Sequence, residues 1–164
     1  MTYIDPRPRN ELTCPMKTIS VAGDRVVLLV EGRDSNGAYT IMEATLPPGG
    51  GPPPHLHHRE DETFQVMAGE IEFHLGDEVR HLRKGEFIFA PRGIPHCFRN
   101  TGNADAVLLE TSSPSGIERF FEAAGDPLPD RTSPPLPFGP DRIAHMKAIA
   151  PNFEIEFLGP RPQV

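Results

Sequence analysis

The 164-residue chain has no tryptophan, two tyrosines and two cysteines, and it is short of positive charge. Cys14 and Cys97 permit at most one bridge, which excludes a disulfide-built scaffold. With no apolar export signal in the opening residues, two thiols in a reducing, cytoplasmic compartment are expected. Sixteen Lys and Arg stand against 23 Asp and Glu, for a formal net charge of −7. That balance argues against nucleic acid or an anionic membrane as a partner. No apolar run approaches the ~18 residues that span a bilayer. What is abundant is punctuation: 15 glycines and 20 prolines favour many turns over long helices. The prolines cluster at 47–54 and 127–140.

Between these breaks the apolar residues alternate. Short strands are expected at 26–30, 38–46, 55–58, 62–67, 70–75, 78–82, 86–90, 96–100 and 105–111, with turn signals such as Gly69-Glu70 and Gly76-Asp77. Many short strands at this spacing indicate a β-sandwich or small barrel. The pattern changes at Ser113. Ser115 and Glu118 have capping-box spacing, and Ile117, Phe120, Phe121 and Ala124 share one helical face. A proline-rich link then leads to a second helix at about 141–150, its apolar side marked by Ile143, Met146 and Ile149. A last alternating strand follows at 153–157. The chain therefore divides into an arm (1–16), a β-barrel (17–112), and a C-terminal segment (113–164) of helices and proline-rich tail packing on the barrel.

Seven histidines are present, three of them in His55-Leu56-His57-His58. In a strand, His55 and His57 project to one face and His58 to the other. Glu62 joins the pair if the polar stretch 58–61 bends; otherwise Glu60, Asp61 and Glu62 read as a charge run on a solvated face. The turn Pro91–Pro95 launches His96 at the head of another strand, where antiparallel pairing can place it opposite the first two. Three imidazoles and a carboxylate suit a divalent transition metal such as Fe, Mn, Ni, Co, Cu or Zn. No cysteine pair is available for a closed structural zinc site. His58, His74, His81 and His145 read as surface residues. Phe64, Phe73, Phe87, Phe89 and Phe98 read as core packing, Cys97 as a buried thiol, Asn100 as a turn residue, and Arg92 and Arg99 as surface cations.

Two glycine-framed motifs sharpen this reading. Gly49-x5-His55-x-His57-x4-Glu62-x6-Gly69 and Gly85-x5-Pro91-x-Gly93-x2-His96-x3-Asn100, fifteen residues apart, resemble the two motifs of the cupin superfamily. The wording of 54–69 and the helix Gly116–Phe121 are similar to single-domain quercetin 2,3-dioxygenase-like members. This chain departs from many of them, with Gln65 in place of Tyr and Ala68 in place of Glu. Alternation turns Gln65 outward, away from the metal. The resemblance implies an all-β, cupin-type jelly-roll barrel with metal ligands His55, His57, Glu62 and His96. Four ligands leave one or two coordination positions open, as catalytic sites do.

The activity this implies is a dioxygenase that cleaves a small phenolic or enolisable, flavonol-like substrate. O2 would be the co-substrate, and Glu62 would serve as both ligand and general base. The alternatives are a non-redox isomerase, lyase or cyclase of the same fold, or a small-molecule-binding cupin without turnover. Pairing through sheet edges, with the 1–16 arm against another subunit, gives a homodimer as the expected assembly.

Overall fold

A computed structural model of the protein describes residues 16–159; the expected arm and Cys14 lie outside the described residues, apart from Met16. In chain order the elements are β1 (Thr18–Val21), β2 (Asp24–Val30), β3 (Thr40–Leu46), β4 (His55–His57), β5 (Asp61–Ala68), β6 (Glu70–Leu75), β7 (Glu78–Arg83), β8 (Phe87–Ala90), β9 (His96–Asn100) and β10 (Ala106–Ser113). Then come α1 (Ile117–Ala124), β11 (Asp126–Leu128), α2 (Pro140–Ile149), a 3-10 turn (Ala150–Phe153) and β12 (Ile155–Phe157).

Alternation explains the layers. In β5, Glu62, Phe64 and Val66 are buried while Gln65 and Met67 face solvent. The same period in β10 buries Ala106, Leu108, Glu110 and Ser112. These inner rows belong to a seven-stranded antiparallel sheet ordered β11-β1-β2-β3-β10-β5-β8. It faces a five-stranded sheet ordered β12-β4-β9-β6-β7. Two antiparallel sheets over one core make a jelly roll. Phe64, Phe73 and Phe98 stack in that core with ring centroids 5.0–5.4 Å apart. Phe87 and Phe89 do not join them. They lie on the outer face of β8 at 60% and 49% exposure, because the inward places on that short strand go to Ile88 and Ala90.

The turn glycines match the backbone they serve. Gly69 (φ 79°) closes the β5–β6 hairpin, and a Cβ there would stand 2.8 Å from that of Ala106. Gly93 (φ 76°) sits in the turn before β9 and donates its N–H to the carbonyl of His57 at 2.7 Å.

The C-terminal segment completes both sheets: β11 pairs with β1, and β12 with β4. The strand β11 was not expected; Asp126-Pro127-Leu128 read as a link because proline lacks an N–H, a lack that an edge strand tolerates. Helix α1 forms, but Ser115 does not cap it; the N-cap is Gly116, without a side-chain cap bond. Glu118 supplies the reciprocal half alone. Its Oε2 accepts from the Gly116 N–H (2.8 Å) and the Thr40 hydroxyl (2.6 Å), and its Oε1 from the Gly32 N–H (3.1 Å). Burial would raise this carboxyl's pKa, but these donors hold it below its ordinary value. Among the described residues, no helix is long and apolar enough to cross a membrane.

Candidate metal centre

His55 and His57 reach the barrel interior together because β4 carries them two residues apart. The chain then bends, so Glu62 on β5 arrives from the opposite sheet. His96 opens β9, where it is registered against His55. The four expected ligands therefore meet: one ligand atom from each lies within 4.8 Å of every other, and all four residues are buried.

The hydrogen bonds decide which atoms face inward. His55 Nδ1 lies 2.9 Å from the Pro53 carbonyl, and His96 Nδ1 lies 3.1 Å from that of Ile94. A carbonyl only accepts, so both Nδ1 atoms carry the proton and both Nε2 atoms present a lone pair. His57 Nε2 and His96 Nε2 stand 3.3 and 3.1 Å from Glu62 Oε2. Neither approach has hydrogen-bond geometry, and His57 Nε2, His96 Nε2 and Glu62 Oε2 are buried without a hydrogen-bond partner. Converging lone pairs that satisfy nothing else are what a cation would satisfy. The donor set therefore fits one divalent transition-metal ion.

The electrostatics agree with this arrangement. Burial, reinforced by the neighbouring His96 and His57, pushes the His55 pKa well below its ordinary value. Burial alone would raise Glu62, but the facing histidines outweigh it and hold the carboxyl ionised. Burial also opposes protonation of His57, yet Glu62 and Glu60 together raise its pKa.

Three polar residues of the site escaped the sequence. Glu60 is not a solvated member of a charge run: it is 2% exposed, with Oε2 3.6 Å from His57 Nδ1 and Oε1 3.8 Å from Arg59. Only Asp61 of that run stays near the surface, paired with Arg92, which draws its pKa down to about 2. Ser112 is registered against Glu62 and donates to its Oε1 at 3.0 Å. Glu110 is also buried beside Glu62. Desolvation first, then the charge of Glu62, raise its pKa well above the ordinary value and favour its protonated form. The available signal was the alternation Ala106-x-Leu108-x-Glu110-x-Ser112, which puts two polar residues in an apolar inward row.

The remaining histidines divide. His58 is exposed and meets Glu156 at 3.1 Å, and His81 is exposed. His145 is exposed and near the Ala123 carbonyl. His74 corrects the expectation of exposure. It is buried on the outer face of the five-stranded sheet, 3.0 Å from Glu72, which also accepts from Arg99 at 3.3 Å.

A cavity opens from the cluster. His55, His57, Glu62 and Glu110 line it together with Phe120, Phe121, Met146, Ile155 and Phe157 of the C-terminal segment. Phe157 stands 5.7 Å from His55, ring to ring. The acidic lining residues are Asp24, Glu62 and Glu110; among the described residues no Lys or Arg lines it.

Residues 42–112 match the cupin domain family. Mannose-1-phosphate guanylyltransferase ManC of Salmonella typhimurium is 33% identical over 85 residues, which cover 52% of this chain and 18% of that protein. The oxalate-binding protein of Thermotoga maritima is 32% identical over 74 residues, covering 45% of this chain and 61% of that protein. The chain thus spans a fifth or less of the guanylyltransferase and under two thirds of the oxalate-binding protein. Among solved structures, a predicted oxalate decarboxylase from Thermotoga maritima superposes with a TM-score of 0.53 at 28% identity, covering 60% of this chain and 91% of that one. Sheet order, paired motifs and family match agree: over residues 42–112 this chain is similar to cupin domains, and its two-sheet barrel has the fold of the cupin-like structures it resembles.

Proposed function

We propose that the protein is a metal-dependent enzyme that oxidatively cleaves a small phenolic or enolisable substrate with O2, in the manner of the quercetin 2,3-dioxygenase-like cupins. The observation that carries this reading is the cavity, which is lined by His55, His57 and Glu62 of the cluster and, on the same lining, by the rings of Phe120, Phe121 and Phe157. A flat, apolar substrate suits such a wall. Oxalate and sugar phosphates, named for similar proteins, are compact polar anions that would meet a bound cation but leave the mostly apolar wall without a matching surface.

When bound, a divalent ion supplies Lewis acidity toward a substrate hydroxyl and, if redox-active, electron transfer with O2. His55, His57, His96 and Glu62 would hold it. The chain's own contribution is positioning and proton handling. Ser112 fixes one oxygen of Glu62, leaving Oε2 turned to the cluster as the acceptor for a substrate hydroxyl proton. Phe120, Phe121 and Phe157 give the same cavity an apolar lining.

A second reading, a non-redox isomerase or lyase, is favoured by the buried Glu62–Glu110 pair, whose pKa values are pushed in opposite directions, as an acid and a base would need. One experiment separates the two. Protein purified without added metal is analysed for elemental content, then assayed for O2 uptake with a flavonol panel. Metal-dependent O2 uptake is expected. Inertness to the whole panel, or full turnover by the zinc form without O2, would overturn the dioxygenase reading.

A further inference from the structure

The strand carrying His55 and His57 is only three residues long, and it is held unequally on its two flanks. Toward β9 it has one registered pair, His55 with His96, and one further bond, from Gly93 N–H to the His57 carbonyl. Toward β12 it has three registered pairs: Ile155 with His57, Glu156 with Leu56, and Phe157 with His55. That ladder continues past both ends of β4. His58 N–H donates to the Glu154 carbonyl at 2.9 Å, and Leu158 N–H donates to the Pro54 carbonyl at 2.8 Å.

The second of these bonds bears directly on the cluster. The neighbouring carbonyl, Pro53, accepts the His55 Nδ1 proton and so turns Nε2 inward. The backbone at 53–54 is thus fixed from outside by Leu158 and fixes His55 from inside. Strand β12 lies more than 40 residues beyond the cupin match, which ends at 112.

We propose that β12 is the positioning strand of the metal centre: its backbone ladder holds β4 in the register that lets His55 and His57 converge with Glu62 and His96. The site is then incomplete without a segment outside the cupin domain. This rests on the cluster binding a metal ion. It contributes no ligand, so its effect is on how much of the ligand geometry is prepaid before the ion arrives. Linkage makes the relation reciprocal: if the ladder strengthens metal binding by some factor, metal binding strengthens the ladder by the same factor.

The test uses full-length protein and Co2+ alone, followed by its visible absorption. Leu158→Pro removes the N–H that meets Pro54, and its Co2+ affinity is expected to fall at least tenfold while the β-sheet circular dichroism is kept. Glu156→Ala removes an exposed side chain and leaves the ladder, so its affinity should stay within twofold of wild type. Undiminished affinity in Leu158→Pro, or an equal loss in Glu156→Ala, would overturn the proposal. Should Leu158→Pro fail to fold, the wild-type protein still decides. Hydrogen exchange across 154–158 should slow on adding Co2+, together with that of 55–58. Slowing confined to 55–58 would overturn the proposal. Wild-type protein that takes up no Co2+ would instead remove the metal reading itself.

Discussion

The two faces of the five-stranded sheet make opposite uses of buried histidine. On the outer face, His74 is buried, but Glu72 occupies its Nε2 and Arg99 completes the group. On the inner face, His55, His57 and His96 are as deeply buried, yet their inward nitrogens converge on one another and on Glu62 Oε2, and those of His57 and His96 have no hydrogen-bond partner. Burial therefore does not distinguish a ligand from a structural histidine. The distinguishing feature is a lone pair left over after the local hydrogen bonds are made.

The largest effect that tests this contrast is on the inner face. His57→Ala or His96→Ala should abolish stoichiometric metal uptake, a loss of at least a hundredfold in affinity, while far-ultraviolet circular dichroism is unchanged. Unaltered metal content by elemental analysis would put both faces in the same class. Next is Glu60→Gln. It removes the charge facing His57 Nδ1, and a supporting group of this kind is worth about 10–100-fold in metal affinity; isothermal titration with Zn2+ reads the change. On the outer face, His74→Ala should leave metal content intact and cost about 1–3 kcal/mol of stability in urea unfolding, because buried Glu72 loses a partner.

Smaller still is a pH effect at Glu110. Its folded pKa is raised, so between the unfolded value near 4.5 and the folded value the native state binds the extra proton. This term lowers stability as pH rises and is fully relieved below the unfolded pKa. Glu110→Gln should therefore gain about 1 kcal/mol or more over the metal-free wild type at pH 8, since one pKa unit is worth about 1.4 kcal/mol. The advantage should vanish toward pH 4.5. A pH-independent difference in denaturation midpoints would contradict the burial argument. Smallest is His58→Ala, which breaks only an exposed contact with Glu156 and should change stability by under about 1 kcal/mol and metal content not at all.

The candidate cluster was legible because its information is local: spacing and strand alternation pair His55 with His57, and the resemblance of the two glycine-framed motifs adds Glu62 and His96, which the structure brings within 4.8 Å of one another. What the sequence withheld depends on distant strands. Glu60 read as a solvated charge because its partner, His57, lies across a bend rather than one strand period away. His74 read as exposed because an amphipathic strand gives no hint that Arg99 and Glu72 will roof it. Phe87 and Phe89 read as core because their hydrophobicity says nothing about which face of an edge strand they occupy. Ser115 read as a cap, but Glu118 reaches back only two residues, to the Gly116 N–H, and spends its other bonds on Gly32 and Thr40. The aromatic wall was invisible because it is assembled from α1 and β12, whose positions follow from docking rather than from period.

That glutamate sets how the cavity wall responds to salt. Glu118 is tied to the loop at 32 and to β3 by neutral donors, two amides and a hydroxyl, with no cation among them. Mobile ions screen charge against charge over a Debye length of about 8 Å at physiological ionic strength, but they scarcely touch a buried anion solvated by fixed dipoles at contact distance. The exposed Asp61–Arg92 clip should loosen in brine. The helix that brings Phe120 and Phe121 over the cluster should hold its seat there, keeping the chamber the same shape from dilute buffer to molar salt.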